Sequence, residues 1–193
     1  MAWHPGNHFS LFILPAKADT GPFKAAAQAL HSRFPDAVLP RPENFEFPIR
    51  ICSFPFPDAV EGEPYSDTLE KQLGDYYAHA RLGGYPVRQV RLKPQQFHLE
   101  GDCIFLALTP VTVHDERRLV QITDRIHSRF NCEICPPTIL FAQLRPGFSP
   151  SPDLTNALKE IFTMLDCEAS ADMHSLSLVL RYSATAADTC HNP

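Results

Sequence analysis

Apolar positions along the chain switch repeatedly between a period of two and a period near 3.6. Phe9-Ser10-Leu11-Phe12-Ile13-Leu14 reads as a strand that Pro15 ends. Phe23, Ala26, Ala27, Leu30 and Phe34 then recur at helical spacing, which predicts a helix with one apolar face. In Phe47-Pro48-Ile49-Arg50-Ile51-Cys52 the period returns to two. Phe47, Ile49 and Ile51 should face one side and Pro48, Arg50 and Cys52 the other, and Pro48 implies an edge strand or a strand start. Asp67 and Glu70 resemble a capping box opening a helix through Leu69, Leu73, Tyr76 and Ala80, which Gly83-Gly84 ends. Strands are expected at 87–92 and 103–108, with a turn around Glu100-Gly101-Asp102 before the second. Leu119, Ile122, Ile126 and Phe130 give a further apolar helix face, and 138–143 a strand. Ser151-Pro152-Asp153 should start a last helix carrying Leu158, Ile161 and Leu165, and 175–182 a final strand with Leu176, Leu178, Leu180 and Tyr182 on one face. Residues 1–183 thus read as one folded unit, with 184–193 as a small, polar, frayed tail.

Two of these helices end in the same tetrapeptide, His31-Ser32-Arg33-Phe34 and His127-Ser128-Arg129-Phe130. Each copy closes an amphipathic helix that follows a strand and precedes another. A strand-helix-strand unit used twice predicts an α+β, bilobal fold of pseudo-duplicated antiparallel sheets, with outer helices and a central cleft.

Composition narrows the function. The 193 residues are 44% hydrophobic and 20% charged, ordinary values for a globular protein, and the formal net charge of -5 argues against a broad basic face that grips nucleic acid by its phosphates. A nucleotide or nucleic-acid end held in a cleft is compatible with that charge. The 19 prolines lie mostly beside strand candidates, where they stiffen loops. Six dispersed cysteines and a start, Met1-Ala2-Trp3-His4-Pro5, without a basic region point to reduced thiols and a cytoplasmic location. The apolar run at 9–14 is too short to span a bilayer, so no membrane association is expected.

The order of these elements, with the strand at 9–14 before the first helix and Phe97 just ahead of the strand at 103–108, resembles the two-histidine phosphoesterase superfamily. That superfamily includes the 2'-5' RNA ligase-like proteins and the cyclic phosphodiesterases. The resemblance implies one strand per lobe bearing His-x-Thr or His-x-Ser. The two histidines would serve as general base and general acid on a phosphodiester, and the hydroxyls would hold phosphate oxygens. At the corresponding places this chain has Pro48-Ile49-Arg50 and Pro137-Thr138-Ile139. Proline and isoleucine cannot transfer a proton, and Arg50 stays protonated at any useful pH. The expectation is a catalytically degenerate relative that binds a nucleotide, an RNA end or another phosphorylated small molecule between its lobes, with Pro48, Arg50, Pro137 and Ile139 lining the site.

Arg50 is the candidate anion clamp, the alternative being an arginine on a solvated strand face. His98 and His174, both at strand entrances, are the nearest alternative catalytic pair for an active phosphodiesterase. The hydroxyls after His174 stand at i+1 and i+3, out of phase with His-x-Ser. Cys132-Glu133-Ile134-Cys135 has the spacing of half a zinc site with His127 nearby, but no second pair completes it, so structural thiols and no metal are expected. Arg81, Arg88, Arg91 and Lys93 form a local basic cluster, read as a solvated face balanced by the acidic stretch at 58–63 or as a guide for phosphate. No glycine-rich phosphate loop or Gly-x-Ser-x-Gly elbow occurs, and no cofactor is expected. A pure interaction module, meeting a protein partner through the proline-rich loops, is the remaining reading.

Overall fold

A computed structural model of the chain describes residues 8–55, 89–130 and 132–172. Six strands and three helices follow in the order β1 (His8–Ile13), α1 (Gly21–Arg33), β2 (Ile49–Pro55), β3 (Gln89–Glu100), β4 (Cys103–Pro110), α2 (Val113–Phe130), β5 (Glu133–Gln143), α3 (Pro152–Met164) and β6 (Ala169–Asp172). A short 3-10 turn, Lys17–Thr20, leads into α1. The class is α+β, and the described strands form one antiparallel sheet in the order β1-β2-β5-β4-β3-β6.

Local chemistry accounts for the joints. β3 and β4 make a hairpin in which Glu100 pairs with Cys103, leaving a two-residue loop whose first member, Gly101, has φ 57°. A type II′ turn needs that positive φ at its first central position, and glycine supplies it without a Cβ clash. At α3 the Ser151 Oγ accepts from the Leu154 N–H at 3.2 Å, and Pro152 occupies the first helical turn. Ser151→Ala is therefore expected to cost about 1 kcal/mol of stability, read by urea unfolding. Both histidines of the repeated tetrapeptide do the same work. His31 Nδ1 lies 2.8 Å from the Val38 carbonyl oxygen and His127 Nδ1 lies 2.5 Å from that of Cys132. A carbonyl oxygen only accepts, so each Nδ1 carries the proton and pins the chain that leaves the helix.

One core joins the helices to one face of the sheet. Phe23, Ala27 and Leu30 of α1, Leu119 and Ile126 of α2, and Leu154, Leu158 and Ile161 of α3 pack with Ile13, Ile49, Val90, Leu92, Ile104, Leu106, Ile139 and Phe141. Four irregularities interrupt the ladders. Ile51 is an extra residue of β2 opposite β1, Gln95 of β3 opposite β4, and Phe141 of β5 opposite β4, while 135–137 of β5 stand against Ile51 alone. Pro136 and Pro137 have no N–H to donate, which explains the last of these. Bulges bend and twist a sheet. Here the chain leaving β1 reaches the far edge: Pro15 bridges Ala171, and the Ala16 N–H donates to the Ser170 carbonyl at 2.8 Å.

Several expectations are revised by this register. β3 runs on to Glu100 through Lys93-Pro94-Gln95-Gln96, because the bulge at Gln95 accommodates the proline within the strand. β5 begins at Glu133 rather than at 138. Ile51 and Cys52 are both fully buried, so the strict alternation expected for 47–52 fails at the Ile51 bulge and Cys52 leaves the face of Arg50. The short strand β6 was not anticipated. The helix expected around 67–84, the strand expected at 175–182 and the tail at 184–193 lie outside the described residues. No described helix is long and apolar enough to cross a membrane.

Candidate functional site

The sheet face opposite the core carries none of the three described helices. Cross-strand pairing places Phe12, Arg50, Thr138, Ala107 and Gln96 side by side in one row over five strands. The next row brings together Leu140, Phe105 and His98. Arg50 and Thr138 stand at the centre, on the two strands where the β1-α1-β2 and β4-α2-β5 units meet. The Arg50 Nε donates to Thr138 Oγ1 at 3.2 Å, and the Thr138 side chain is buried while Arg50 is half-buried.

Ring stacking extends this pair sideways. The Arg50 guanidinium carbon lies 5.2 Å from the Phe105 ring centroid, and the His98 imidazole stacks on the same ring at 5.4 Å and 17°. A guanidinium over an aromatic face is attracted by the ring quadrupole, which fixes a long, flexible side chain in one orientation. Burial lowers the pKa of His98 and Arg50 lowers it further, against the opposing pull of Glu100. The imidazole is therefore neutral at neutral pH, and the Arg50 guanidinium carries the positive charge of this group.

The strand entry that carries Arg50 is anchored from the core side. Phe47, fully buried, has φ 52°, a left-handed conformation that costs a non-glycine residue of order 1 kcal/mol or more. Its ring packs edge-on against Phe45 at 5.0 Å and against Phe23 of α1 at 6.0 Å, and these contacts offset the strain.

Of the four residues expected to line a shared site, Arg50 stands on the sheet face opposite the core. Pro48 is buried just ahead of β2. Ile139 is fully buried on the core face, where it pairs with Ile49 and Leu106, and alternation carries Pro137 to the same side. Pro137 and Ile139 therefore do not share a face with Arg50, and Thr138 is the residue of β5 that stands opposite it. Two consecutive prolines offer two phases for the strand that follows; only the pairing with Arg50 selects between them. Phe105 and Gln96 were also missed, since a partly exposed phenylalanine and a strand glutamine carry no chemical signature in a sequence.

His98 stands on this face, whereas His174 lies outside the described residues, as do Arg81 and Arg88. Arg91 is held by structural partners: its guanidinium lies 3.5 Å from the Asp115 carboxylate and 3.6 Å from that of Glu168. Lys93 is exposed. His127 is engaged with the Cys132 carbonyl, and among the described residues no group of three or more His, Cys, Asp or Glu side chains is placed to hold a metal ion.

Chemically, a guanidinium beside a buried hydroxyl can receive an oxyanion, with charge from Arg50 and a hydrogen bond from Thr138. Proton transfer to a ligand held there is another matter. His98 is separated from Arg50 by the Phe105 ring. A scan against known protein families finds no matching family model, and a search of curated protein sequences finds no significant match.

Proposed function

We propose that this protein binds a phosphorylated ligand, a nucleotide, an RNA end or another phosphorylated small molecule, on the face of its sheet opposite the core, as a catalytically degenerate member of the two-histidine phosphoesterase superfamily. The observation that carries this reading is the Arg50–Thr138 pair, which sets a cation and a hydroxyl together where two strand-helix-strand units meet. The repeated helix ending, used in the same way at His31 and His127, supports reading those units as copies of one another. Arg50 would bind the phosphate, and Phe105 would limit its freedom before binding, so that little entropy is lost when the ligand arrives.

Arg50→Ala is expected to weaken binding of nucleotides or short phosphorylated RNA by about 1.5 to 3 kcal/mol, the range for hydrogen bonds to charged groups. Calorimetric titration of wild type and variant checks this; equal affinities, or no binding by wild type, would sink the reading. The protein is also expected not to hydrolyse 2',3'-cyclic nucleotides, because Pro48 and Pro137 stand where the resemblance places the histidines and Thr138, on the site face, supplies no proton-transfer group at neutral pH. His98 supports one competing reading, an active phosphodiesterase of altered chemistry. Product formation abolished by His98→Ala would establish that alternative.

A further inference from the structure

Arg50, Phe105 and His98 form a stack that runs across the sheet. In the strand order β2-β5-β4-β3, Arg50 reaches the Phe105 ring from one flank and His98 from the other. Among the described residues Phe105 is the ring partner of His98, and neither imidazole nitrogen has a hydrogen-bond partner. β6 pairs with β3 only over Gln89–Leu92, so no described strand extends the β3 edge at His98. A half-buried ring backed by a second ring on one side offers its other side to a nucleobase, which stacks on aromatic and histidine side chains alike.

β3 brings two further groups to the same face. Lys93, Gln96 and His98 pair with Thr109, Ala107 and Phe105, alternate residues of β4, because the bulge at Gln95 keeps Lys93 in phase with Gln96. Lys93 and Gln96 are exposed. A primary amide presents both donors and an acceptor to a base edge, and an ammonium presents charge to a phosphate. Glu100, the next residue of β3 on this face, has its charge near His98 and keeps phosphates away from the hairpin end. The Arg50 guanidinium carbon lies 5.2 Å from the Phe105 centroid, and the His98 ring a further 5.4 Å from it on the other flank. A base on the outer side of His98 is therefore out of reach of a mononucleotide whose phosphate rests on Arg50.

Building on the phosphate site read above at Arg50 and Thr138, we propose that the ligand is a single-stranded RNA end of at least two nucleotides. Its terminal phosphate rests on Arg50 and Thr138, a following base stacks on the outer side of His98 with the Gln96 amide at its edge, and the linking phosphate meets Lys93. The net charge of -5 suits this short contact, since two cations on one face hold two phosphates without a broad basic surface.

The test is calorimetric titration of the full chain with AMP, with the 5'-phosphorylated dinucleotide pApA, and with the same dinucleotide lacking its second base. Wild type is expected to bind pApA at least about tenfold more tightly than AMP. His98→Ala should weaken pApA binding by about 5- to 150-fold, the range for one base–aromatic stack, and leave AMP and the abasic probe unchanged. His98→Phe, which keeps the stack, should retain pApA binding. Lys93→Gln should lower the slope of log affinity against log salt by about 0.7 for pApA and not for AMP. AMP binding that depends on Arg50, with pApA no tighter or tighter but indifferent to His98→Ala, would overturn this inference and leave the phosphate site standing. Failure of wild type to bind any of the probes would remove both.

Discussion

Replacing Phe141 by alanine is expected to destabilise the protein by about 3 to 5 kcal/mol, the range for emptying a buried aromatic site. Phe141 is fully buried, and its ring lies 4.8 Å from that of Phe97, which in turn meets Phe162 of α3 edge-on at 6.3 Å. It is also the extra residue of β5 opposite β4, so its side chain does more than fill space. The bulge is held by this packing, and the bulge sets the phase in which Leu140 and Thr138 face away from the core. The loss should therefore appear in two measurements. Chemical unfolding should show the stability change, and the phosphorylated ligand proposed for the Arg50–Thr138 pair should bind the variant less well even under conditions where it remains folded. Phe141→Leu, which keeps most of the volume, should recover a large part of both. A Phe141→Ala variant as stable as wild type would mean that the core does not depend on this stack.

Most of the elements were legible in the sequence because their periods are clean. Phe23, Ala27 and Leu30 fall on one helical face, and all three are buried in α1. The Ser151-Pro152-Asp153 start and the turn at Gly101 rest on capping and turn chemistry that acts within a few residues. What was not legible depends on partners distant in the chain. The phase of β5 after Pro136-Pro137 is set by β2 and β4, so Thr138 could not be assigned to the face of Arg50 from its own neighbours. The burial of Cys52 follows from a bulge at Ile51 that only the pairing with β1 and β5 creates. Arg50 itself was legible as a cation at a strand position, but its hold on Thr138 and Phe105 was not. The strands expected in two lobes are joined into one described sheet through β2–β5 pairing, a contact between residues almost ninety positions apart, as in Arg50 with Thr138.

Asp115→Ala is expected to cost about 2 to 4 kcal/mol at neutral pH, since it strands several buried donors at once. The carboxylate is buried at the start of α2. It accepts from the Thr112 hydroxyl at 2.5 Å and from the Arg91 backbone N–H at 3.1 Å, while its own N–H donates to Thr112 Oγ1 at 3.2 Å. α2 is thereby tied to β3, and the Arg91 guanidinium adds charge to the attachment. Burial pushes the Asp115 carboxyl up, but the Thr112 and Arg91 hydrogen bonds and the Arg91 charge together outweigh it and hold the group below its ordinary 3.8. A carboxylate whose folded-state pKa lies below the unfolded value contributes stability that is present above the unfolded pKa and is lost as pH falls through the folded one. The difference between wild type and Asp115→Ala should accordingly persist from neutral pH down to the ordinary carboxylate range and shrink only below it. Asp115→Asn keeps one acceptor but turns an N–H group toward donors, so it should lose a smaller part and show the same acid convergence with wild type. Thermal melts across an acid series read all three curves. A gap that closes between neutral pH and the carboxylate range would instead point to a group that titrates higher, and would remove Asp115 as the anchor of α2.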